Sequence, residues 1–439
     1  MNIKNYVISL FATMCFLVTL PLKAEEPLKI VIEGGIENAL PIAIVPFAWS
    51  QSANILPVDI TSIISENLSR SGRFDVMSEQ DLPQRPTELN AINYGDWRKL
   101  GMENIVIGTI SLTGTGDYDI SFRLVDIYRQ KQIAGFRVPA KPDKLRRVAH
   151  QISDIIFEKL TGIAGAFDTR VAYITVRGDS KKGKTHSLKI ADADGYNAQI
   201  LLESPEPLMS PTWSPDGRRI AYVSFEGKNS AIYIQDVLSG KRAKVADFNG
   251  INSAPAFSPD GKRLAMTLSK DGNAEIYVMN LVDQTLRRIT NHHAIDTEPS
   301  WAPDGQLLVF TSDRSGSPQI YQVSANGGEP KRITFQGKYN SRADYSPDGG
   351  YITLVHGDGE SGTYRIGILD TDNGYINLLT TSRLDESPSF APNGGMIIYA
   401  TSGINGGQLA AVSTDGRIHQ RLGLQAGDVR EPAWGPYVK

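Results

Sequence analysis

Two different rhythms of apolar residues divide this chain. From about residue 25 to 165, strand-like and helix-like runs alternate. Leu28–Glu33 and Pro41–Phe47 are rich in β-branched and apolar residues and predict strands. Ile60, Ile63, Ile64 and Leu68 then recur at helical spacing behind Asp59, a capping residue type, and Gly72 follows as a stop. Ile105–Leu112, Tyr118–Asp126 and Gln132–Val138 predict three further strands between turn-forming Gly and Asp. A second amphipathic helix sets Leu145, Val148, Ile152, Ile155, Ile156 and Leu160 on one face, with Gly162 just past its end. The expected fold of this part is α/β, a mixed sheet with two main helices, and Thr161–Phe167 is its expected hinge to the remainder.

Beyond Phe167 the chain repeats itself. The phrase P-x-aromatic-S/A-P-D/N-G recurs around Trp213, Phe257, Trp301, Tyr345 and Phe390, and a truncated copy surrounds Trp434. The spacing is 44 residues, stretched to 45 once (390 − 345), and a period in the forties marks a propeller blade or a helical array. Each period holds four short β-like runs and no amphipathic helix, which predicts an all-β six-bladed β-propeller. Ser-Pro-Asp-Gly suits a type I turn between the first two strands of a blade. The repeated aromatics are expected to fill the wedge between blades rather than to hold a ligand. Two copies depart from the phrase, Ala343 for Pro and Asn393 for Asp, and are expected to weaken strand or turn definition locally. The sixth copy has an inner strand but no chain left for the others. Val171–Val176, Leu188–Ala191 and Gln199–Leu202 are therefore expected to complete the last blade and protect its edges.

Composition narrows the function classes. The 439 residues are 41% hydrophobic and 21% charged, and 45 Lys+Arg against 48 Asp+Glu leave a net charge of −3. No basic excess points to nucleic acid. Lys4, the apolar run Tyr6–Leu20 and the short tail to Ala24 read as a secretory signal with cleavage near Ala24, too short for a spanning helix. The domains expected are a signal peptide 1–24, an α/β domain 25–165 carrying a partner-binding N-terminal segment, and a propeller 166–439. The single cysteine, Cys15, lies in the signal, so the mature chain forms no disulfide.

Several motifs imitate catalytic ones. Gly178–Thr185 fits the phosphate-loop pattern, but a strand rather than a helix is expected to follow, and without helix N–H groups there is no phosphate cradle. Gly357–Gly362 fits the dinucleotide fingerprint in the same hairpin register. No Ser has Gly at both −2 and +2, and no His pair has H-E-x-x-H spacing. Asp192, Asp194 and Gly195 hint at a calcium loop without the remaining ligands. The expectation is a protein with no catalytic residues, cofactor, nucleotide or metal site, although a propeller channel leaves room for a cation. The competing readings are a secreted hydrolase or peptidase-related propeller, and a glycan-binding propeller.

The starts Leu28–Glu33 and Pro41–Trp49, the junction Leu160–Phe167 with Arg170–Tyr173, and the six repeats together resemble the TolB family, over essentially all of the mature chain. That resemblance implies a monomeric periplasmic adaptor of the Tol-Pal system, supporting outer-membrane integrity and constriction at cell division. It further implies binding of the lipoprotein Pal by the propeller and of TolA by the mature N-terminus, with colicins as opportunistic partners. The segment Glu25, Glu26, Pro27, Leu28, Lys29, Ile30, Val31, Ile32 and Glu33 alternates apolar and charged residues and ends at Gly34-Gly35, which predicts a detachable strand able to join a partner's sheet. The loops leading into the inner strands are expected to converge on one rim of the propeller, opposite the Ser-Pro-Asp-Gly turns. They carry Asn252, His292, His293, Asp296, Thr297, Glu298, Arg342, Asp385, Glu386, Arg430 and Glu431, the expected partner-facing residues.

Overall fold

The computed structural model describes residues 31–33, 39–50, 56–179, 183–359, 361–403, 406–422 and 427–437. The signal segment, Glu25–Ile30 of the expected partner strand and the Gly34-Gly35 hinge lie outside them. The α/β part is built on one mixed sheet, in the order Phe74–Val76, Leu40–Ile44, Asn104–Leu112, Tyr118–Asp126, Lys131–Ala140, with Ala48–Trp49 also paired to Asn104–Leu112. Its first pairings are parallel and its last two antiparallel.

Both expected helices form. Helix α1 (Ile60–Arg70) starts where the Asp59 side chain accepts a hydrogen bond from Ser62 N at 3.0 Å, leaving fewer orphan amides in its first turn. Helix α2 (Tyr94–Lys99) is a single capped stretch of six residues, too short to produce a helical period in the sequence. Helix α3 (Leu145–Thr161) ends on Gly162 at φ 74°, a left-handed cap that glycine adopts without a Cβ clash. Helices α1 and α3 cover one face of the sheet, where Ile64, Leu68, Ile152 and Ile156 are fully buried. Burying each such side chain contributes about 1.5–3 kcal/mol. Trp97 of α2 and Ile105 anchor a smaller core on the other face.

The propeller has six sheets. Blade 1 runs Leu208–Trp213, Arg219–Ser224, Ala231–Asp236 and Arg242–Ala246 from channel to periphery. Blade 6 closes the ring as expected: its inner strand is Asp428–Trp434, paired antiparallel to Arg170–Asp179, with Gly183–Asp192 and Gln199–Ser204 outside. In each Ser-Pro-Asp-Gly turn the serine and aspartate side chains complete the backbone bonding. Ser214 Oγ accepts from Arg219 N at 2.9 Å, Asp216 Oδ1 from Arg218 N at 3.1 Å, and Gly217 sits at φ 66°. The aromatics join neighbouring blades. Trp213 Nε1 donates to Ala433 O and Trp301 Nε1 to Ala256 O, at 3.1 and 3.0 Å. Arg170 and Arg263 lie over these two indoles and donate to Gly217 O and Gly305 O.

Neither departure leaves its strand or turn less defined. The strand through Ala343, Tyr339–Tyr345, has seven residues against six in blades 1, 2, 3 and 5. Asn393 Oδ1 accepts from Gly395 N at 3.0 Å as the aspartates do, while its Nδ2 donates to Ala164 O of the interdomain connection.

Blade 5 has a fifth strand. Val31–Glu33 pairs antiparallel with His419–Leu422, in the register Val31↔Arg421, Ile32↔Gln420 and Glu33↔His419. The N-terminal segment thus leaves its own domain and caps the outer edge of a propeller sheet.

The α/β part docks on the rim that carries the Ser-Pro-Asp-Gly turns. Besides Asn393, the contacts include Gln420 Nε2 of blade 5 donating to Arg70 O at the end of α1, and Arg146 of α3 against Asp192 and Asp194 in an outer turn of blade 6. Asp154 accepts from Phe167 N and Asp168 N, fixing the connection to α3. Because turns alternate between the two rims along every blade, these contacts fall on the turn rim, and none of them, among the described residues, reaches the opposite rim, formed by the loops leading into the inner strands.

Candidate functional site

Every inner strand is bulged at the same place. The register shifts between Met209/Thr212, Ser253/Ala256, Thr297/Ser300, Ser341/Asp344, Glu386/Ser389 and Arg430/Ala433. Each bulge holds one non-glycine residue in the left-handed region: Ser210, Ala254, Glu298, Arg342, Ser387 and Glu431, with φ between 46° and 57°. Such residues are uncommon outside glycine, and a bulge re-aims the side chains beside it. Repeated six times, the device places a ring of side chains around the channel, above a cavity of ≈ 450 Å³.

Charge on that ring is concentrated on one side. Arg342 Nε bonds Glu298 Oε1 at 2.9 Å, its Nη1 donates to Ser387 Oγ at 2.5 Å, and Glu431 Oε2 stands 3.8 Å from Nη2. Glu298 Oε2 also accepts from Arg342 N and Thr311 Oγ1. Burial works against the Arg342 charge, but Glu431, Glu298 and Glu386 outweigh it and hold the guanidinium above its ordinary pKa. Two residues further along, the channel waist is formed by Thr212, Ala256, Ser300, Asp344, Ser389 and Ala433. There burial pushes the Asp344 carboxyl up to about 6, against hydrogen bonds from Phe390 N and Ser300 Oγ.

The expected partner-facing residues fall into three groups. Asn252, Asp296 and Asp385 are fully buried at the start of their strands and serve the fold. Asn252 bonds Phe248 N and O and Ser230 O, and Asp296 receives Arg314 Nη2 at 2.6 Å. Burial raises the Asp385 pKa. Thr297, Glu298, Arg342, Glu386 and Glu431 are half-buried around the channel mouth. His293 and Arg430 are exposed on the free rim, and His292 stacks on His293 with ring centroids 4.1 Å apart. Charge and spacing alone could not separate these groups, because a polar residue at a repeat corner looks the same whether it ties a loop down or faces solvent.

The sequence reading missed the apolar part of the same rim. Ile251, Ile295 and Leu384 are 49%, 53% and 43% exposed, and Phe335 is 72% exposed. The first three stand six positions ahead of Phe257, Trp301 and Phe390, a repeat signal that a search restricted to polar residues passes over.

The imitation motifs resolve as hairpins. Arg170–Asp179 pairs with Gly183–Asp192, and Tyr351–Gly357 with Tyr364–Asp370, so neither glycine-rich stretch opens a helix. Asp192 and Asp194 gather with His150, but the Arg146 guanidinium contacts both carboxylates and supplies the positive charge there.

A bulged six-bladed ring, closed by its C-terminal strand and carrying an α/β domain on its turn rim, defines a class of two-domain propeller proteins. Residues 157–438 match the family model described as TolB beta propeller domain, and residues 28–133 that of the TolB amino-terminal domain. The chain belongs to the TolB family of Tol-Pal system proteins. It is 60% identical to the Tol-Pal system protein TolB of Thioalkalivibrio sulfidiphilus and 58% identical to that of Nitrosococcus oceani, over 98% of each chain. The crystal structure of TolB from Acinetobacter baumannii superposes with a TM-score of 0.85 at 41% identity, covering 93% of this chain and all of that one.

Proposed function

We propose that the protein is a non-enzymatic periplasmic adaptor of the Tol-Pal complex, exported by its N-terminal signal. In this reading the free rim of the propeller takes the lipoprotein Pal and the mature N-terminus, Glu25–Glu33, takes TolA. The adaptor thereby supports outer-membrane integrity and constriction at division, and colicins that enter through the complex compete for the same rim. The boundary between its domains lies at residues 165/166.

One observation carries this reading: the rim left free by the α/β domain combines exposed apolar side chains with charge. Ile251, Ile295, Phe335 and Leu384 supply burial, while Arg430, His293 and the half-buried Glu298, Glu386 and Glu431 supply orientation. A rim made for a small polar substrate would lack the apolar crown. Pairing of Val31–Glu33 with an outer propeller edge supports the second site, since a three-residue edge strand is readily exchanged for pairing with a partner.

Immobilised full-length mature protein, incubated with detergent-solubilised envelope extract, is the test. Recovery of Pal and TolA is expected. Recovery of glycan without Pal would overturn the adaptor reading in favour of a sugar-binding propeller.

A further inference from the structure

Where the domains meet, they bring together metal-ligating side chains that neither holds alone. His150 comes from α3, Asp192 and Asp194 from the outer turn of blade 6, and their ligand atoms all lie within 4.8 Å of one another. Asp192 N bonds Tyr196 O and holds the turn, while Asp194 Oδ1 accepts from Tyr196 N at 3.0 Å. That leaves Asp194 Oδ2 to face His150 Nε2 at 3.7 Å. The His150 ring is 2% exposed, and its Nε2 is buried with no hydrogen-bond partner among the described residues. A buried polar atom left unpaired is costly.

The arginine that supplies the positive charge fits the site poorly. Arg146 reaches Asp194 through Nη2, but its Nε is buried without an acceptor, 3.6 Å from Asp192 Oδ2. Its side chain is 22% exposed and lies along the Tyr196 ring, so the guanidinium can swing out into solvent. Arg70 also acts on Asp194 electrostatically and lowers the affinity for any further cation.

One imidazole nitrogen and two carboxylates form a donor set for zinc. Tetrahedral zinc, with bonds of about 2.0–2.2 Å, spaces neighbouring donors roughly 3.4 Å apart, close to the His150–Asp194 gap. Calcium and magnesium take shells of oxygen and do not suit an imidazole. The far side of the ring is braced as well, since the Asn67 amide lies 2.9 Å from His150 Nδ1. With its oxygen turned there, the amide accepts the Nδ1 proton and leaves the Nε2 lone pair for the metal.

We infer that a zinc ion binds between the domains on His150 Nε2, Asp192 and Asp194, in exchange for Arg146 and with water as its fourth ligand. Because the ligands belong to both domains, the ion takes only the docked arrangement and stabilises it by mass action.

Zinc chloride titrated into the untagged full mature chain, stripped beforehand with a chelator, tests this by calorimetry and thermal unfolding. The expected result is one ion per chain and a rise of about 2 °C or more in the unfolding midpoint at a hundredfold excess over Kd. His150→Gln and Asp192→Asn each weaken binding at least about tenfold. Asp192 is partly exposed, so its variant keeps the test open if His150→Gln does not fold. Arg146→Gln removes the competing guanidinium and binds zinc at least about threefold more tightly. Absence of binding in the wild type overturns the inference. So does unchanged binding in Asp192→Asn, which puts zinc elsewhere, as on the His292–His293 pair, and so does an affinity in Arg146→Gln no higher than wild type.

Discussion

Two residues at the domain junction link side-chain chemistry to interdomain stability. Asn393 replaces the aspartate found at 216, 260, 304 and 348, and only the amide can both accept from its own turn and donate to Ala164 O. Asn393→Asp keeps the turn acceptor but sets a carboxylate against that carbonyl. It is expected to lower stability by about 1 kcal/mol, read from the urea midpoint, with Asn393→Gly lowering it similarly through loss of the same bond. Asp192 offers a pH readout. Burial first, and then Asp194, raise its pKa to about 6 in spite of Arg146. A folded pKa above the unfolded value favours the protonated form, so this contribution is present below about pH 4 and is lost as pH rises through 6. Asp192→Asn, which cannot ionise, is expected to be more stable than wild type at pH 7.5, with the gap closing towards pH 4. Thermal midpoints across that range check it, and a gap that widens on acidification would contradict the assignment.

At the scale of elements, the sequence was legible wherever a period was long enough to register. Asp59, Gly162 and the apolar stripes of α1 and α3 gave those helices, and the aromatic repeat gave every inner strand. Helix α2 was not legible because six residues make fewer than two turns. The bulges were not legible because left-handed Ser, Ala, Glu and Arg carry no sequence mark of that conformation, unlike glycine. The outcome for the N-terminal segment depended on a contact distant in sequence: Val31–Glu33 pairs with His419–Leu422, not with the sheet of its own domain. Nothing local could reveal that pairing. Since three residue pairs hold it among the described residues, deleting Glu25–Glu33 is expected to leave the unfolding midpoint within about 2 °C of wild type and Pal binding intact, while TolA binding is lost. Calorimetry with each partner checks this, and global unfolding of the truncated chain would contradict a detachable strand.

Across the whole molecule, the Asp428–Trp434 strand closes the ring, and among the described residues the α/β domain bonds its turn rim, apart from the Val31–Glu33 strand on the outer edge of blade 5. The two rims therefore differ in exposure and in chemistry, although both are built from the same repeat. Ring closure and blade number followed from the period and the truncated sixth copy. Which rim stayed free did not, because it depends on Asn393, Arg146 and Gln420 making contacts across the domain boundary. The account as a whole stands on that free rim being the Pal surface. Its most direct test is calorimetric titration of purified Pal into three folded proteins: the wild type, the free-rim double variant Ile295→Asp with Arg430→Ala, and Leu238→Asp. Leu238 is a still more exposed apolar residue in an outer turn of blade 1 on the opposite rim. The free-rim variant is expected to lose at least about tenfold in affinity, or about 1.4 kcal/mol, with Leu238→Asp binding as the wild type does. Wild-type affinity in the free-rim variant together with loss in Leu238→Asp would place Pal on the turn rim and contradict the account.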